Sequence, residues 1–196
     1  MNSHFRRHGG QRRYKRMFVI VAEGTVTKQE YFSLLNEELI VRVKCLRNRS
    51  NLPPKEALLR VREYIRKESL RKHDEAWVVV DKDSWLDDHL FELHAWAQSR
   101  SNYGFALSNP KFEYWLLLHF EDANGVKTGD DCDRRLTKHL PGYDKHIEPQ
   151  HFSVDRVHLA AARAKKRDNP PCADWPRKPG TTVYKLVERI LDLHAN

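Results

Sequence analysis

Residues 76–83, Ala-Trp-Val-Val-Val-Asp-Lys-Asp, constrain this chain more than any other stretch. An apolar run this short and uninterrupted suits a strand buried on both faces, as in a parallel sheet covered by helices. Such sheets take their ligands outside the carboxyl ends of the strands, where Asp81 and Asp83 fall. Carboxylates grouped there repel each other unless a cation joins them, and hard oxygen donors of this kind suit Mg²⁺. A lone Asp-x-Asp also has a plainer reading, in which Asp81 ends the strand and Asp83 caps the next helix. The choice therefore depends on what the rest of the chain brings to that edge.

Met17 to Ala22 form a second run of the buried type and end in Glu23-Gly24. Gly24 lets the backbone turn tightly, and a carboxylate at the end of an apolar strand is costly without a partner. Thr27-Lys28-Gln29-Glu30 reads as a capping box, opening a helix with Tyr31, Leu34, Leu35 and Leu39 on one stripe. Val41, Val43 and Cys45 alternate with basic residues, predicting a half-exposed strand. Pro53-Pro54 opens a helix through about Arg71, and residues 86–99 predict another with Leu86, Leu90, Leu93 and Ala97 inward. A short strand follows at 103–107. This alternation predicts an α/β fold, a mainly parallel sheet flanked by helices, with further helices toward the C-terminus at 153–167 and after Thr181-Thr182.

Glu113 sits among Phe112, Tyr114 and Trp115 in a segment too apolar to lie freely on a surface. An acid in such company has a partner, either a cation or a hydrogen-bonded neighbour. The plain reading is a satisfied glutamate at the edge of the core.

The net charge of +8 and pI of about 9.4 point to an anionic partner, with nucleic acid (DNA or RNA) the first candidate. Residues 1–16 carry Arg6, Arg7, Arg12, Arg13, Lys15 and Arg16 and no acid, predicting a flexible basic arm that binds phosphate by charge or a solvated tail. Residues 17–196 read as one domain. No apolar run has the length of a membrane span, and no signal-peptide pattern opens the chain. Three isolated cysteines fit a reducing cytoplasm, and no His or Cys spacing suggests zinc. No residue pattern specifies the oligomeric state.

Three pieces together carry a resemblance. They are Val-Ala-Glu-Gly-(two residues)-Thr followed by Tyr31-Phe32, then Val-Asp-Lys-Asp, then Ser108-Asn109-Pro110-Lys111-Phe112-Glu113-Tyr114-Trp115. The chain resembles the RloB family, small proteins found with phage-defence and restriction–modification loci. Its core looks like a Toprim domain, the Mg²⁺-binding, Rossmann-like fold of topoisomerases, primases and related nucleases. Pro179-Gly180-Thr181-Thr182-Val183-Tyr184 also resembles the family's Thr-rich segment before the last helix.

The resemblance implies that Glu23 is the Toprim glutamate, an acid/base group or metal ligand. It implies that Asp81 and Asp83 are the metal-binding pair for Mg²⁺ or Mn²⁺. Glu113 falls in the Asn-Pro-x-Phe-Glu motif, which is not a general Toprim element, and stands as an accessory acid. Two positions depart from the pattern: Lys28 replaces a common acid after the threonine, and Lys82 replaces a common arginine between the aspartates. The second change keeps the charge and loses a planar bidentate donor. The implied activity is a metal-dependent nuclease in anti-phage defence. The rival expectation is a non-catalytic nucleic-acid or partner-binding sensor. Family genes often neighbour an AAA-type ATPase, which the resemblance brings in as a partner acting in trans and which nothing in these residues encodes.

Overall fold

The computed structural model describes residues 16–38, 42–46, 53–82 and 85–192. Among them the chain runs β1 (Met17–Ala22), α1 (Thr27–Glu38), β2 (Arg42–Cys45), α2 (Pro54–Glu68), β3 (Glu75–Asp81), α3 (Asp87–Gln98) and β4 (Tyr103–Asn109). There follow α4 (Glu113–Leu117), α5 (Gly129–His139), α6 (Val154–Arg167), a two-residue strand β5 (Gly180–Thr181) and α7 (Val183–Leu191). The strands form one sheet in the order β2-β1-β3-β4-β5. The first four are parallel, and β5 is antiparallel to β4. The expected α/β, mainly parallel, Rossmann-like architecture is present.

Both faces of the sheet are covered, which is why its strands read as unbroken apolar runs. Phe18, Ile20, Ala22, Trp77 and Val79 pack on one face with Tyr31, Phe32 and Leu35 of α1 and with α4 to α7. Val21, Val78, Val80, Phe105 and Leu107 pack on the other with Ala57, Leu58 and Val61 of α2 and Leu90, Leu93 and Trp96 of α3. Each large apolar side chain buried this way contributes about 1.5–3 kcal/mol. Gly104 lies beside Trp77 in the β3–β4 register, and a Cβ there would stand 2.3 Å from the indole. The indole needs that space, so β4 has a glycine inside a strand.

The connections place the functional edge. From β1 the chain moves through α1 to β2 on one side, then crosses back through α2 to β3 on the other and continues to β4. Winding direction therefore reverses between β1 and β3, and a crevice opens where their carboxyl ends part.

At the opposite, amino end of the strands, Glu75 is buried and accepts hydrogen bonds from Trp77 Nε1 at 2.9 Å and Arg189 Nε at 2.6 Å. Arg16 forms an ion pair with the same carboxylate. Arg16 is thus no part of the expected basic arm; its guanidinium instead neutralises a buried acid next to β1. Arg6, Arg7, Arg12, Arg13 and Lys15 lie outside the described residues.

Two smaller expectations are corrected. Leu86 precedes α3 and is 68% exposed, because the helix begins one residue later than its apolar spacing suggested. Thr182 precedes α7 without a side-chain cap bond, whereas Thr181 Oγ1 accepts from the Val183 amide at the helix start at 3.2 Å. Thr181 shares a 2.8 Å hydrogen bond with Ser108, and Thr182 Oγ1 accepts from the Leu107 amide at 2.9 Å. Both threonines thus tie the start of α7 to the β4–β5 junction, which is too short to leave a periodic signal. Among the described residues, no helix is long and apolar enough to cross a membrane.

A candidate acid and lysine site at the strand switch point

Glu23 leaves β1 with its amide still bound to the Val79 carbonyl at 2.8 Å, so it remains tied to β3. Gly24 then turns away at φ +85°, a left-handed conformation that glycine adopts without steric cost. The Glu23 carboxylate bridges to the exit of β3, where Oε2 accepts from the Asp81 amide at 2.9 Å. Its Oε1 accepts from Trp85 Nε1 at 3.0 Å. The adjacent parallel strands therefore deliver Glu23 and Asp81 to the same end of the sheet.

Asp81 is the last residue of β3 and its side chain is 14% exposed. Its Oδ2 accepts from Lys28 Nζ at 2.7 Å. The Lys28 side chain is 7% exposed, and its ammonium lies 5.5 Å from the Phe112 ring centroid. Asp81 Oδ1 is buried and has no hydrogen-bond partner among the described residues. Burial raises the Asp81 pKa from 3.8 to about 6; Lys28 opposes the rise, and the Glu23 and Glu113 charges add to it. Asp83 lies outside the described residues.

Glu113, the first residue of α4, is 5% exposed and has the cation partner its setting demands. Lys145 Nζ donates to its Oε1 at 2.6 Å, and the Tyr143 hydroxyl donates to the same oxygen at 3.4 Å. Burial pushes this carboxyl upward, but the Lys145 hydrogen bond and charge, together with Lys111, hold it below the usual range. Lys111 pairs with Asp133 at 2.6 Å. Burial draws its pKa down, and Asp133 and Glu113 more than offset that, keeping the ammonium charged. A cis peptide bond joins Asn109 to Pro110 at the start of this segment.

These side chains line one cleft of about 320 Å³, in which Glu23, Asp81 and Glu113 face Lys28, Lys111 and Lys145. A larger hollow of about 550 Å³ beside α1 and β2 holds none of the three acids, so the smaller cleft is the chemical one.

A loop straps the cleft to α1. Thr27 and Glu30 do not make the expected capping box. Thr27 Oγ1 donates to the Lys145 carbonyl at 2.7 Å, while Glu30 accepts from the Ile147 amide at 2.8 Å and pairs with His146 Nδ1 at 2.9 Å. Long-range partners have taken both side chains. Lys145 itself sits at φ +81°, a conformation that costs a non-glycine residue about 1–3 kcal/mol and persists only where its surroundings fix it. Lys145, Tyr143 and Trp85 are site residues that sequence reading missed. Lys145 lies 32 positions beyond Glu113 with no motif around it.

Mg²⁺ is commonly bound by one or two carboxylates, completing its shell with water and substrate phosphate. The bare Asp81 Oδ1, a hard oxygen shielded from solvent beside Glu23, fits such an ion. Among the described residues, no three His, Cys, Asp or Glu side chains gather tightly enough to enclose an ion by themselves. The second Asp81 oxygen already carries the Lys28 ammonium.

A mainly parallel sheet with a carboxylate at the end of each strand flanking its switch point defines an α/β protein with a charged crevice of paired acids and lysines. The chain belongs to the RloB family: the family model for RloB-like proteins matches residues 18–190. No curated protein and no solved structure matches it.

Proposed function

We propose that this chain performs metal-dependent phosphodiester chemistry on nucleic acid, as a Toprim-type nuclease acting in anti-phage defence. The observation that supports this reading is the meeting of Glu23 and Asp81 at the switch point, in a cleft that also carries three lysines. Asp81, with Glu23 beside it and Asp83 two residues on, would hold Mg²⁺ or Mn²⁺. When bound, the ion neutralises phosphate charge and lowers the pKa of water. Glu23, oriented by the Asp81 amide and the Trp85 indole, would exchange a proton with the attacking water. Lys111 and Lys145 supply positive charge toward a phosphodiester, and the Glu113 carboxylate fixes Lys145.

One observation favours a second reading, a non-catalytic module that binds nucleic acid or a protein partner. Each described acid of the cleft is already engaged: Asp81 by Lys28, Glu113 by Lys145, and Glu23 by two N–H groups. The experiment that separates them incubates the purified protein with DNA and RNA in Mg²⁺, Mn²⁺ or EDTA. The nuclease reading expects cleavage that needs the metal and falls by at least about 100-fold in Asp81→Asn, the scale of losing a charge-stabilising group from a reacting centre. Binding without cleavage under every condition would transfer the assignment to the module.

A further inference from the structure

Lys28 is the feature of the cleft that the proposed chemistry leaves unexplained. Its ammonium is rooted in the first turn of α1, laid along the Phe112 ring and held 2.7 Å from Asp81 Oδ2. Both side chains are largely removed from water, so the two charges are weakly screened and compensate each other. Asp81 Oδ1, by contrast, has no partner among the described residues. The carboxylate that would receive a dication is thus half occupied by a cation the chain supplies.

We infer that Lys28 is a resident counter-ion that competes with the divalent metal for Asp81, so that the metal enters by displacing its ammonium. This rests on the metal-dependent reading of the cleft and adds to it a determinant of metal affinity supplied by the chain itself. Two like charges do not share one carboxylate in a partly buried site without mutual repulsion. A flexible four-carbon stem lets the ammonium swing into the 320 Å³ cleft while its helix stays in place. By the same exchange, Lys28 supplies Asp81 with an opposite charge when no divalent ion is bound.

Direct Mn²⁺ binding tests the inference without any activity assay. The protein is titrated with Mn²⁺ at pH 8, and free ion is read from its electron paramagnetic resonance signal. Wild type is compared with Lys28→Met, which keeps the apolar stem over Phe112, and Lys28→Gln, which keeps a neutral donor for Asp81. Circular dichroism confirms the fold of each. The expected result is Mn²⁺ binding about 10- to 100-fold tighter in both variants, the scale on which one neighbouring charge moves an ionic equilibrium. Adding Asp81→Asn to Lys28→Met should remove the gain. Equal or weaker binding in the variants, with wild type binding Mn²⁺, would overturn the inference and leave the metal-dependent reading intact. Absence of binding in all three would instead remove the metal-dependent reading, and the inference with it.

Discussion

Asp81 is a carboxylate in a largely dry position, with Oδ2 paired to Lys28 and Oδ1 without a partner among the described residues. Its pKa, raised by burial to about 6, fixes the sign of a stability effect. Between about pH 4 and 6 the folded chain keeps a proton that the unfolded chain has released, so this group's contribution to stability falls as pH rises. Asp81→Asn cannot titrate. Relative to wild type it should therefore gain stability from pH 4 to pH 7, by at most about 3 kcal/mol at 1.36 kcal/mol per pKa unit. Urea unfolding of both proteins at the two pH values measures this, and a gain larger at pH 4 would contradict it. At this scale the sequence is informative about acids and poor about their partners. Glu23 and Asp81 are visible because each ends an apolar run, and a run has a direction and an end. Lys145 and Trp85 are recruited by tertiary geometry, which no local spacing records.

Among the elements, the strap over residues 143–147 is the one whose behaviour follows from named charges. His146 is shifted upward by its hydrogen bond to Glu30, by the Glu30 charge and by Asp144. A histidine raised in this way stabilises the strap at low pH, and the contribution is lost as pH rises through its folded pKa. Hydrogen exchange at the Ile147 amide, which donates to Glu30, should show protection falling between pH 6 and pH 8 after correction for intrinsic exchange. His146→Gln should flatten that dependence; a wild-type protection factor independent of pH would remove His146 from the strap's energetics. The same strap shows why the expected capping box does not form. Thr-x-x-Glu satisfies the local rule, yet a loop arriving more than a hundred residues later offers both side chains better-placed partners. β1, β3 and β4 are legible because burial on both faces forces a continuous apolar run. β5 is not, since two residues hold no period.

At the scale of the whole molecule, two clusters of positive charge sit at opposite ends of the strands. Three lysines stand in the cleft at the carboxyl ends of the strands, whereas Arg16 and Arg189 are committed to Glu75 at the amino ends. If the cleft binds nucleic acid as proposed, phosphate binding by the segment before Arg16 would add to it. Deleting residues 1–15 while keeping Arg16 should weaken nucleic-acid binding and reduce the slope of log K against log salt by about 0.7–0.9 for each phosphate that the segment neutralises. An unchanged slope would make that segment a tail. The Glu75 cluster also sets a clock. Arg189 follows Glu75 by 114 residues, so at about 5–20 residues per second a ribosome needs roughly 6–23 s to add the second arginine after the glutamate. During that interval the central strand has its carboxylate without the cation that α7 brings. The base of the sheet therefore closes only once α7 has been made, and until then the part of the apolar sheet face that α7 covers lacks its packing partner.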